Sequence, residues 1–254
     1  MKKAYQAFFT PARYEPTPLE KAVLARGDDT RIPFAGGALA LTKWGNGQAV
    51  LLMHGWGGSR AQMTGFVDPL LAAGYRVVAF DQPAHGESDG IMTNLLEIAP
   101  AMDIMTQREG RFYAVIGHSF GTLITSYAIV HLGFPPPAKL AYFGSFNRLM
   151  DSLPRFQVLA RLPESVVEGM RGMMYERFGQ ARLESITHEH LVPRIDIPAL
   201  LFHDSGDEVT PIEDSRAIAK AWPRARLAET EGLGHRGALQ SGQVIGQVVE
   251  FLRP

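Results

Sequence analysis

The chain has 254 residues, 46% hydrophobic and 20% charged, with a net charge of −1 and no cysteine. That size and apolar content suit one large α/β domain, or one such domain carrying an insertion. The charge balance offers no basic field for nucleic acid, and the missing thiols exclude disulfides, thiolate catalysis and Cys-based zinc sites. Met1-Lys2-Lys3 resembles the start of a signal peptide, but Ala7-Phe8-Phe9 is too short for its apolar core. No run approaches the ~18 apolar residues of a membrane span. The expectation is a soluble, cytoplasmic protein.

Residues 1–30 read as an N-terminal arm. Pro11, Pro16 and Pro18 argue against a long helix before Thr17. Thr17-Pro18-Leu19-Glu20 reads as an N-cap with proline at the first helical position, and the aromatics Tyr5, Phe8, Phe9 and Tyr14 are expected to pin the arm to the core. Arg31–Phe34 and Ala38–Trp44 read as a hairpin joined at Gly36-Gly37. Ala49-Val50-Leu51-Leu52-Met53 is apolar throughout, as in a parallel strand buried on both faces.

That strand runs into His54-Gly55-Trp56-Gly57-Gly58, whose glycines let the backbone approach a ligand. The Trp56 N–H is a candidate oxyanion donor, and His54 is expected to brace the loop. A helix is expected over about Arg60 to Ala73, then a strand over Tyr75–Phe80. The following turn, Asp81 to Ser88, holds an aspartate, a histidine and a serine. Such local groups usually satisfy each other and the backbone, so the turn reads as structural. Asn94 to Arg108 reads as a helix interrupted or restarted at Pro100.

Phe112-Tyr113-Ala114-Val115-Ile116 is apolar and leads into Gly117-His118-Ser119-Phe120-Gly121, after which a helical pattern begins. Strand, G-x-S-x-G and helix in that order are what a nucleophile elbow requires. The turn demands small residues two before and two after the serine, and it exposes Ser119 at a helix start, where backbone N–H groups favour negative charge. The plainer alternative is a strand-to-helix loop with Ser119 as an N-cap. The Phe120 N–H would be the second oxyanion donor.

Residues 147–191 show no strand signal and read as short helices inserted between strands. Met170, Met173 and Met174 lie in this insertion and are expected to lend an apolar face to a substrate, since methionine moulds to varied shapes. The sheet resumes at Ile197–Phe202 and ends in His203-Asp204-Ser205-Gly206-Asp207. A modest last strand, Arg226–Ala228, precedes a loop holding His235 between Gly234 and Gly237. A serine hydroxyl needs a base, and the base needs an acid to fix its tautomer. Ser119, an aspartate of the 204–207 turn and His235 all follow parallel strands, so they can converge at one sheet edge.

The chain resembles the α/β-hydrolase fold of esterase and lipase type from about Arg31 onward. The resemblance rests on His54-Gly55-Trp56-Gly57-Gly58, the Asp81–Ser88 turn, Gly117–Gly121, Asp207 ahead of Pro211, and Gly234-His235. It implies a mostly parallel sheet with helices on both faces, a core of residues 1–146 and 192–254, and a helical cap at 147–191. It implies a Ser119–Asp207–His235 triad, because the family's acid lies four residues before the proline; Asp204 would be structural. The family usually has glycine where this chain has Ala84, a change that matters only where the backbone needs positive φ. The implied reaction is acyl transfer to water on a small-molecule ester or thioester, with no metal or cofactor required. Serine at the elbow argues against dehalogenase and epoxide hydrolase chemistry. Thioesterase, C–C bond hydrolase and acyltransferase reactions, or a non-catalytic binding role, remain alternatives.

Overall fold

An apolar run such as Ala49–Met53 has no polar face, so it must lie between two covering layers. The structure, a computed structural model, describes residues 1–253. It contains one eight-stranded sheet: β1 (Asp28–Phe34), β2 (Gly37–Trp44), β3 (Ala49–Met53), β4 (Arg76–Phe80), β5 (Ala114–His118), β6 (Lys139–Phe143), β7 (Ala199–Asp204) and β8 (Ala225–Thr230). The order is β1-β2-β4-β3-β5-β6-β7-β8. β1 and β2 form the expected hairpin, β2 lies antiparallel to β4, and all other neighbours are parallel.

The helices are α1 (Lys2–Phe8), α2 (Pro18–Leu24), α3 (Val67–Ala72), α4 (Leu95–Ile98), α5 (Pro100–Glu109), α6 (Phe120–His131), α7 (Ser152–Ala160), α8 (Glu164–Phe178), α9 (Gln180–Ser185), α10 (His188–Leu191), α11 (Ile212–Ala221), α12 (Gly234–Gly237) and α13 (Gly242–Leu252). Side chains alternate across a strand. Leu51 and Met53 therefore join the core beneath α4, α5, α6 and α11, whereas Val50 and Leu52 join the core beneath α3 and α13. Thr17 and Glu20 form a reciprocal capping box at the start of α2.

Pro100 restarts the next helix as expected, giving α4 and α5. Other elements differ from the sequence expectation. The helix expected over 60–73 is a 3₁₀ turn, Arg60–Phe66, followed by α3. The arm does begin with a helix, α1, short enough to end before Pro11. The His235 loop closes into the single turn α12.

The ends of the insertion are tied together. Arg148 and Thr187 form an isolated bridge, and His188 N–H donates to Asn147 O at 2.8 Å. Beyond that neck, α7, α8 and α9 build a small core of their own: Leu153, Val167, Met170, Met174 and Leu183, together with Tyr5 and Phe9 from the arm. Edge-to-face pairs Phe8–Phe156 and Phe9–Phe178 fasten the arm to it. After the neck, α10 packs on α6 and α11 and belongs to the main core.

Candidate active site

β3, β5, β6, β7 and β8 are mutually parallel, so the turns after them share one edge of the sheet. Ser119 follows β5 and is the N-cap of α6, with φ 51 and ψ −118. That left-handed backbone is strained for a residue with a Cβ. Its N–H donates to Phe143 O at 2.8 Å, which pins the turn to the end of β6. Gly121 is essential to the packing, because a Cβ there would lie 2.6 Å from both Met53 O and His54 O. Gly117 is less constrained, with the nearest atoms of Thr122 at 3.3 Å.

His235 lies on α12, half-buried, and its Nδ1–H donates to Asp207 Oδ2 at 2.7 Å. Nε2 is therefore the lone-pair nitrogen of the neutral ring. The Asp207 side chain is buried and its carboxylate accepts four further hydrogen bonds or close donors. Oδ1 accepts from the Val209 and Thr210 amides at 2.8 Å each, while Oδ2 accepts from Thr210 Oγ1 at 2.9 Å and faces His203 Nε2 at 3.4 Å. Burial pushes this carboxyl up. Hydrogen bonds from His203, His235 and the Thr210 amide outweigh it and hold the group well below the usual carboxylate range.

The two aspartates of the turn are thereby distinguished. Asp204 turns to the His235 loop: Oδ2 accepts from Leu233 N–H and Thr230 Oγ1 at 2.9 Å, and Oδ1 from Gly206 N–H at 3.0 Å. It fixes the backbone that carries His235 and does not touch the ring. His118 fixes the same loop from the elbow side, its Nε2–H donating to His235 O at 2.9 Å with the rings 4.7 Å apart. Burial and the nearby His235 push His118 down to about 3, so it stays neutral.

Among the described residues, neither the Trp56 nor the Phe120 amide donates to an acceptor. Phe120 opens α6, where the first N–H groups have no partner within the helix. The Trp56 loop is held from behind. His54 is fully buried, its Nε2 accepts from the Gln82 amide at 3.0 Å, and its Nδ1–H donates to Gly55 O at 2.8 Å. Gly55 packs directly on the elbow, since a Cβ on it would lie 3.0 Å from Ser119 Cβ. Aromatic rings line the surroundings: Trp56 meets Phe120 edge-on at 5.5 Å, and Phe120 stacks on Phe146 at 6.1 Å.

The Asp81–Ser88 turn is structural. Asp81 accepts from the Arg60 amide and guanidinium and from the Glu87 amide; Ser88 Oγ donates to Asp81 O and accepts from the Ala40 amide. Ala84 has φ 65, so the glycine that this position lacks would have been the unstrained residue.

The sequence matches the alpha/beta hydrolase family over residues 50–247. The chain belongs to that family. Among relatives of this alpha/beta hydrolase, a pimeloyl-[acyl-carrier protein] methyl ester esterase of Neisseria meningitidis is 23% identical, covering 73% of this chain and 86% of its own. A serine hydrolase-like protein of Danio rerio is 30% identical, but the match spans only 45% of this chain and 36% of that one. The fold is shared with an esterase from Exiguobacterium antarcticum, with a TM-score of 0.71, 19% identity, and 89% of this chain and 100% of that one covered.

Met170, Met173 and Met174 are engaged differently from the sequence expectation. Met170 and Met174 are buried in the insertion's own core against Tyr5 and Phe9, and Met173 packs partly buried against it. The sequence reading also passed over Thr210, His118 and Phe146. Thr210 was signalled by its place three residues after Asp207, where an aspartate commonly accepts from the turn. Nothing local marks the other two. Among the described residues no group of His, Asp or Glu side chains is arranged to hold a metal ion, and no helix is long and apolar enough to cross a membrane.

Proposed function

We propose that the chain is a serine hydrolase that cleaves a carboxylic ester of a small or medium apolar acyl group through an acyl-enzyme on Ser119. The observation that carries this reading is the His235 Nδ1–Asp207 Oδ2 bond of 2.7 Å, on a loop held by His118 against the strained Ser119 elbow. Ser119 Oγ attacks the ester carbonyl while His235 Nε2 takes its proton. Asp207 stabilises the imidazolium so formed. The oxyanion accepts from the Trp56 and Phe120 amides, each worth a few kcal/mol in the transition state. Collapse expels the alcohol, which takes its proton from His235. Water then attacks the acyl-enzyme with His235 again as base, releasing the acid. No hydrogen bond joins Ser119 Oγ to His235, a link that commonly tightens only when substrate is bound.

The rings of Trp56, Phe120 and Phe146 support an apolar acyl group of modest size. In this reading residues 147–191 form a cap, with α1 as part of its packing and Met170, Met173 and Met174 shaping it from behind. The likeness to a methyl ester esterase supports an ester over the other carbonyl substrates. The test is the intact mass after treatment with a fluorophosphonate, with peptide mapping, on wild type and Ser119→Ala. One adduct on Ser119, absent from the variant, is expected. Folded wild-type protein that takes up no adduct would sink the proposal.

A further inference from the structure

A second imidazole reaches the candidate acid. His203 Nε2 stands 3.4 Å from Asp207 Oδ2, the oxygen that also accepts from His235 at 2.7 Å. The His203 ring is buried near the end of β7 and both nitrogens are engaged: Nε2 lies 2.9 Å from Thr210 O, and Nδ1 lies 2.6 Å from Ser215 Oγ. A carbonyl only accepts, so Nε2 carries a proton in every state. Nδ1 accepts from the Ser215 hydroxyl when neutral and donates to it when protonated, because a hydroxyl serves either role. The site thus holds the imidazolium without stranding a polar atom.

Carboxylates face this ring from three elements, two of them already paired with arginines. Asp207 lies on the turn after β7; Asp214 lies on α11 and is paired with Arg155 of α7 at 2.9 Å; Glu229 lies opposite His203 on the paired β8 and accepts from Arg216 of α11; His235 stands beyond Thr210 Oγ1. Burial pushes His203 down, but the bonds to Asp207 and Thr210 and the charges of Asp207 and Asp214 outweigh it and raise the group above its ordinary value.

We propose that His203 is a positioning residue that shares Asp207 with the base His235, so that a proton on His203 weakens that base. This rests on the serine-hydrolase reading above. The charge on Asp207 supports the imidazolium that forms on His235 in the transition state. A cation on His203 draws on the same carboxylate oxygen. A proton on one ring therefore opposes a proton on the other.

The experiment compares kcat/KM for a p-nitrophenyl ester between pH 6 and 9 in wild type and His203→Gln, each profile normalised to its own alkaline plateau. Glutamine keeps an N–H for Thr210 O and carries no charge. The wild-type acid limb should be broader than one proton, and the variant limb should have unit slope and lie at higher pH. Coupling of about one pK unit would leave normalised activity at pH 6 roughly three- to tenfold lower in the variant. Superimposable profiles would overturn the proposal. Should His203→Gln not fold, ring-labelled histidine NMR of the wild type gives the same answer without turnover. A two-step His235 titration that tracks His203 supports the sharing, and a single independent step refutes it. Because that readout needs no acyl-enzyme, it is distinguishable from a failure of fluorophosphonate labelling.

Discussion

Acidification from pH 8 to 5.5 should strip this protein of much of its stability, through histidines that take no part in the proposed chemistry. His54, His85, His118 and His188 are buried, and burial above all pushes His54 and His188 down to about 4 and His85 and His118 to about 3. In the unfolded chain each titrates near 6.5. The unfolded state therefore binds protons that the folded state refuses. Stability is full well above pH 6.5 and falls as pH drops towards the folded values. At pH 5.5 each unfolded imidazole gains about 1.4 kcal/mol, or about 5.6 kcal/mol for all four. His203, raised by its partners, opposes this with one proton of the other sign. Asp204 and Asp207, both depressed, add their own loss only below about pH 4. Against a net stability of about 5–15 kcal/mol the histidine effect is large. Thermal melts at pH 8 and 5.5 should differ by on the order of 10–20 °C for a chain of this size. Equal midpoints would mean that these rings are hydrated or already charged in the fold, which would refute the reasoning.

The two aspartates of the acid turn should separate cleanly. Asp207→Asn frees His235 to adopt the wrong tautomer and should lower kcat by about 10⁴. Asp204→Asn disturbs three hydrogen bonds to a carboxylate, and should cost about 2–4 kcal/mol in denaturant titration with a kcat loss of only about 10–100-fold. The reverse pattern would reassign the acid. Gly121→Ala, which drives a Cβ into two backbone carbonyls, should cost about 3 kcal/mol or more, whereas Gly117→Ala should cost about 1 kcal/mol; equal melting points for the two would contradict the packing. Ala84→Gly relieves about 1–2 kcal/mol of left-handed strain against about 0.5–1 kcal/mol of added chain entropy, so it should melt at or slightly above the wild type. Phe9→Ala removes a ring buried between arm and insertion at a cost of about 3 kcal/mol or more; hydrogen exchange should quicken in α7 and α8 and not in β3 or β5.

The sheet and the chain order of the candidate site were legible in the residues alone. Wholly apolar runs such as Ala49–Met53 and Ala114–Ile116 have no other stable place than between two layers. Gly-x-Ser-x-Gly between such a strand and a helical pattern specified the elbow, because only small residues pass across so tight a turn. Tertiary structure decided what depends on direction and neighbours. Asp204 and Asp207 carry the same chemistry three residues apart; it is the pairing of Asp204 with Thr230 across β7 and β8 that turns one towards Leu233 and leaves the other facing His235. The spacing of Met170, Met173 and Met174 announced an apolar face, but not that the distant Tyr5 and Phe9 would cover it. Ala84 looked tolerable until its backbone proved left-handed. A local pattern fixes which surfaces must be buried; which partner buries them, and which way a side chain turns at the end of a strand, is settled only by the packing of segments far apart in the chain.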